Sequence, residues 1–145
     1  MHDYDPGWDY RPIRRPASAE LDEAEQAVRL HLIPAMDLPD MTLFFVRRGQ
    51  CRNGAIAKYI AGTASHPVIA LDVAAHRAAA RSGRDLQVML RTSLAHELAH
   101  AYLESCGIDP DLHCEDEVEE FAADFAHHGR IHLRGLFASH DHLLD

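Results

Sequence analysis

Positive charge is in short supply. Fourteen Lys and Arg stand against 23 Asp and Glu, a formal net charge of −9. A chain that held nucleic acid by neutralising phosphates would carry the opposite balance. Its two local basic clusters, Arg11, Arg14 and Arg15 and then Arg47, Arg48 and Arg52, read as solvated surface. Cysteine is scarce too. Cys51, Cys106 and Cys114 are too few, and odd in number, for a disulfide framework. No apolar run approaches the length of a membrane span. Residues 1–16 are polar, aromatic and proline-containing, without the apolar stretch of a secretory signal. Together these absences predict a reduced, cytoplasmic protein with neither a membrane nor a nucleic-acid partner. Internal repeats are absent as well, and 145 residues is the length of one domain with a real core.

Histidine, by contrast, is plentiful, at twelve residues. Such abundance binds metal without purpose, so only spacing carries weight. The pattern divides the chain into an extended arm over 1–17, one domain over 18–138 and a tail over 139–145. Pro6, Pro12 and Pro16 keep the arm out of helix. Ser18 is an N-cap candidate with Glu20 and Asp22 in the first turn, and apolar residues at helical spacing follow until Pro34 ends the helix after Leu32. Three strand-like runs, 41–46, 55–60 and 67–73, suggest an antiparallel or mixed sheet with hairpin connections at 48–54 and 62–66. A short helical turn over 74–81 is closed by Gly83. A long helix over 85–105 stops at Gly107, and a second helix covers 115–127. The fold class is α+β.

The chemistry concentrates in His96-Glu97-Leu98-Ala99-His100. Positions i and i+4 put both imidazoles on one face of the long helix, where they can share a zinc ion. Glu97 is turned from that face by about 100° and reaches a water on the ion instead, as a general base does. A catalytic zinc wants a third protein ligand and an open position. The acidic start of the second helix offers Glu115, Glu117, Glu119 and Glu120. By helical geometry Glu119 lies about 110° from the centre of the Val118, Phe121, Ala122 and Phe125 stripe, and Glu120 points roughly away from it. The order of preference is Glu119, then Glu120, then Glu115 or Glu117.

The histidine pair followed by Glu119 resembles the gluzincin metallopeptidases, with eighteen residues between His100 and Glu119 and Phe121-Ala122 just beyond. Of the two likenesses, the small ImmA/IrrE-type peptidases are the closer match in size and layout. Their offsets from the glutamate match Ala122, Phe125 and Ala126, while Ala123 departs from the polar residue usual there. The specific match covers residues 92–126. The resemblance implies a minimal zincin fold: N-terminal helix, small three-stranded sheet, histidine helix and glutamate helix. It implies zinc held by His96, His100 and Glu119, Glu97 as catalytic base, and a polypeptide substrate or protein regulator as partner. It also implies an edge strand beside the cleft, for which Val68 to Asp72 is the candidate.

Relatives add a His or Tyr that stabilises the oxyanion. His127, His128, His132, Tyr102, His140 and His142 are available, with His128 chosen among them. Cys106 and Cys114 flank the loop between the site helices and read as incidental rather than as a thiolate cap on the metal. Two classes of function compete: zinc-dependent peptide hydrolysis, and a zincin-type scaffold that binds a protein with little or no hydrolysis. Oligomeric state has no signature in the sequence.

Overall fold

A Ser18 hydroxyl accepts the Leu21 N–H at 3.1 Å and starts helix α1, Ala19–Ala27. Helix α1 widens into a π-helical stretch, Val28–Leu32, and finishes in one α turn, Ile33–Ala35. The helix thus ends soon after Leu32, one residue past Pro34. The Ile33 N–H bonds back to Val28, five residues earlier, and this wider turn accommodates a residue that lacks an N–H. The computed structural model describes residues 10–51 and 55–143. The first part of the arm, Arg52 and the last two tail residues lie outside these.

Three short strands follow: β1, Thr42–Phe45; β2, Ala57–Tyr59; and β3, Val68–Leu71. Their order is β1-β3-β2, with β1 parallel and β2 antiparallel to β3. The sheet is mixed, as one of the two sequence expectations had it. The 48–54 linker, however, joins strands that are not neighbours and is no hairpin. β3 takes the middle because it is apolar on both faces: Ile69, Ala70 and Leu71 are fully buried. This also removes Val68 to Asp72 as an edge. One edge is β1, covered where Ile13 N–H donates to Phe45 C=O at 2.8 Å. The other edge is β2.

Asp72 ends β3 and caps helix α2, Val73–Ala79, by accepting the Ala75 N–H. Ser82 caps helix α3, Gly83–Ser105, so Gly83 opens this helix rather than closing the one before. Leu90, Leu94, Leu98 and Leu103 run along α3 fully buried. Helix α4, Glu115–His128, packs its Val118, Ala122 and Phe125 into the same core. α1 and β2 also rest on α3, which makes it the central element. Turns of 3-10 helix over Leu133–Leu143 return along α4, where Phe137 meets the Tyr102 ring edge-on at 5.9 Å. Among the described residues no helix is long and apolar enough to cross a membrane. The architecture is α+β.

Candidate metal centre

The second half of α3 carries His96, Glu97 and His100. Its buried leucines face the core, so the turn between Leu94 and Leu98 must present its polar residues toward β2 and the start of α4. The His96 and His100 rings lie 5.1 Å apart. Their Nε2 atoms sit 3.2 and 3.1 Å from Oε1 and Oε2 of Glu115. One donor atom from each of these three residues lies within 4.8 Å of the others, a group that could hold a metal ion. Glu115 is the first residue of α4, where the positive end of the helix dipole favours a carboxylate. Its side chain is 58% exposed, against 23% and 17% for the two histidines. The group is thus rooted in protein on one side and open on the other.

Among the described residues, Glu115 is the carboxylate that joins the histidine pair. Glu119 stands one turn further along α4, exposed and outside the group, and Glu120 is likewise exposed. The helical wheel carried this signal. Glu115 lies about 70° from the centre of the buried stripe, nearer than the 110° or so of Glu119. The eighteen-residue spacing points to Glu119, one turn beyond the carboxylate that stands against the two histidines. His128 sits at the opposite end of α4, thirteen residues and about 20 Å from Glu115, exposed and away from the cleft. Neither Cys106 nor Cys114 lines the cleft, and both are free thiols. Tyr102, His127, His132 and His140 do not line it either, and the side chain of His142 lies outside what the structure describes.

Glu97 is in the place its sequence position implied, with Oε2 3.9 Å from His96 Nε2. Its Oε1 accepts the backbone N–H of Tyr59 at 2.6 Å. Burial pushes its carboxyl up to about 7, against the opposing pull of that N–H and of Lys58, with a small push from Glu115. His100 is pushed the other way, to about 4, chiefly by burial. Glu115 only partly offsets this, while His96 and His113 add to it. At neutral pH His100 is therefore a neutral imidazole, the form that ligates metal.

The cleft above these groups has a volume of about 390 Å³. β2 forms one wall, and the loop carrying Pro110, Asp111 and His113 forms the other. Ile56 and Ile60 bond to β3 through Asp72 N–H to Ile56 C=O and Ile60 N–H to Val68 C=O. The backbone groups of Ala57 and Tyr59 therefore face outward, toward the cleft. A carboxylate of α3 holds this wall in position: Glu104 accepts the Tyr59 hydroxyl and the Gly62 N–H. Sequence reasoning missed Tyr59, Glu104 and His113, none of which belongs to a local motif. Comparison with protein families, with curated proteins and with solved structures finds no match.

Proposed function

We propose that the protein is a metal-dependent peptide hydrolase, with His96, His100 and Glu115 as ligands of a zinc ion and Glu97 as general base. The observation that carries this reading is the convergence of two imidazole nitrogens and a carboxylate on the floor of a cleft, beside a buried carboxyl. A His₂Glu donor set of borderline nitrogen and hard oxygen suits zinc, and three protein ligands leave a position open. Zinc held there supplies Lewis acidity to water and to a substrate carbonyl.

The chain's own residues do the rest. β2 orients an extended peptide by adding it to the sheet through the outward N–H and C=O of Ala57 and the C=O of Tyr59, whose N–H is held by Glu97. Glu97 Oε2 takes a proton from the attacking water and later gives it to the leaving amine. A carboxyl near 7 is suited to both transfers at neutral pH. Tyr59 N–H keeps Oε1 occupied, so the working oxygen is the one turned to His96.

The test has two arms. Metal analysis of protein purified without added metal is expected to find one zinc per chain, lost in the His96→Ala, His100→Ala double variant. Hydrolysis of an unstructured protein is expected from the zinc form and not from Glu97→Gln. A full equivalent of zinc in the double variant would move the site to other histidines. Zinc without hydrolysis would leave a binding scaffold.

A further inference from the structure

His113 lies outside the proposed ligand set, yet its ring is nearly coplanar with that of His100, at 14°, with the two Nδ1 atoms 2.8 Å apart. Two Nδ1 atoms at that distance share one proton, so one ring donates and the other accepts. Each ring faces an acceptor on its far side, the Ile108 carbonyl for His113 and Glu115 Oε2 for His100. A metal ion on His100 Nε2 would take the place of the second contact, so the far side of His113 then decides which. Its Nε2 is 3.0 Å from the carbonyl oxygen of Ile108, which can only accept. Nε2 of His113 therefore carries hydrogen. In a neutral ring Nδ1 is then a lone pair, and His100 must donate to it from Nδ1. This leaves a lone pair on His100 Nε2, the atom that faces Glu115.

We propose that His113 is a positioning residue: it holds His100 in the Nδ1–H tautomer and aims its Nε2 lone pair at the metal. The proposal rests on the metal reading above.

The order begins in the way α3 ends. Gly107 adopts φ +89°, a conformation a glycine takes without strain. The Gly107 N–H bonds back to Glu104 C=O, and the Ile108 N–H to Leu103 C=O. These are the paired bonds of a Schellman stop, and Ile108 and Leu103 are both buried, as its apolar contact requires. The Ile108 carbonyl is thus fixed by the helix stop, His113 is oriented by that carbonyl, and His100 by His113. A ligating histidine needs such a partner on its second nitrogen to fix tautomer and ring angle.

Two measurements on the full chain test this. Long-range proton–nitrogen spectra of metal-free Glu115→Ala protein at pH 8, which lacks the carboxylate that competes for the His100 Nε2 proton, are expected to show His113 as the Nε2–H form and His100 as Nδ1–H. Finding His100 as Nε2–H overturns the proposal. Zinc affinity, read by competition with a chromophoric chelator, is expected to fall about 10- to 100-fold in His113→Leu. His113→Asn, which keeps an acceptor at the Nδ1 position, is expected to recover most of the loss. A folded His113→Leu protein that binds zinc like the parent overturns the proposal even if the tautomers are as expected. Should the parent bind no zinc, the ligand set itself falls, whereas the spectra still decide which ring orients the other.

Discussion

Two polar clusters hang on α3 within one turn of each other, and they treat histidine in opposite ways. In the first, His76 is fully buried between the Asp72 carbonyl and the Ser93 hydroxyl, each 2.7 Å from a ring nitrogen. The carbonyl accepts from Nδ1–H, and the hydroxyl donates to Nε2. Asp72 is equally closed, its two carboxylate oxygens taking the N–H groups of Ala75 and Gly49. Every donor meets an acceptor, and burial holds His76 neutral. In the second cluster, nitrogen and carboxylate acceptors of His96, His100 and Glu115 converge beside an open cleft. The residue types are nearly the same in both. What separates a structural histidine from a candidate ligand is whether protons and lone pairs balance without an outside group.

Glu97→Gln offers the largest effect with which to test that contrast. Peptide hydrolysis is expected to fall by about 10²- to 10⁴-fold, the usual worth of acid–base help, while zinc content stays at one equivalent. Unchanged turnover would take Glu97 out of the chemistry. The next effect belongs to Glu115→Gln, since an amide is a poorer ligand than a carboxylate. Zinc affinity is expected to drop by at least about tenfold, and chelator competition reads it. An unaltered affinity would mean that the third ligand lies elsewhere.

A third expectation concerns stability in the metal-free protein. The folded-state value for Glu97, about 7, lies above the ordinary 4.5, so its contribution is complete below about 4.5 and is lost as pH rises through 7. Glu97→Gln removes that loss. It is expected to stabilise the chain by up to about 3 kcal/mol at pH 8 and by little at pH 4. Urea unfolding at the two pH values measures the difference, and equal effects at both would show that burial does not hold the proton. His76→Leu probes the closed cluster. It removes the ring's bonds to the half-buried Ser93 hydroxyl and to the Asp72 carbonyl, which keeps only the backbone N–H of residue 76, and is expected to cost about 1–3 kcal/mol. Because the two clusters serve different ends, zinc content is expected to be unchanged in that variant. The smallest effects are assigned to Glu119→Gln and Glu120→Gln. As exposed acids of α4 they are expected to shift stability by less than about 0.5 kcal/mol and to leave zinc affinity alone. A release of metal by Glu119→Gln alone would turn α4 about its axis relative to this structure.

Local signals were the legible ones. The Ser18 cap, the Gly107 stop, the His96/His100 pair and the apolar stripes of α3 and α4 each lie within a few residues of sequence, and the structure has them where they were read. Long-range choices were not. Whether β1 pairs with β2 or β3 depends on which strand is buried on both faces. β3 meets that condition with Ile69, Ala70 and Leu71 while β2 exposes Lys58, and only a comparison of strands far apart in the chain shows that ranking. The third carboxylate was obscured for a related reason. Spacing measures distance along the chain, and a one-turn shift along α4 keeps a carboxylate on nearly the same side while changing which histidines it meets. His113 had no signature at all, because its role depends on a carbonyl five residues earlier whose direction is set by the helix stop.

Sheet edges invite other chains, and most proteins blunt them. Here β2 spans only Ala57–Tyr59, and Glu97 already occupies one of its outward donors. A second copy seeking to extend the sheet would find too few groups to repay the ordering of its own backbone. Under the proposed function, a peptide whose carbonyl is also drawn to the floor of the cleft would have a further attraction, and need fewer backbone bonds. On the proposed reading, Glu97's hold on the Tyr59 N–H acts as a filter on association: the edge would admit a guest with a second anchor and discourage the growth of a continuous β-assembly.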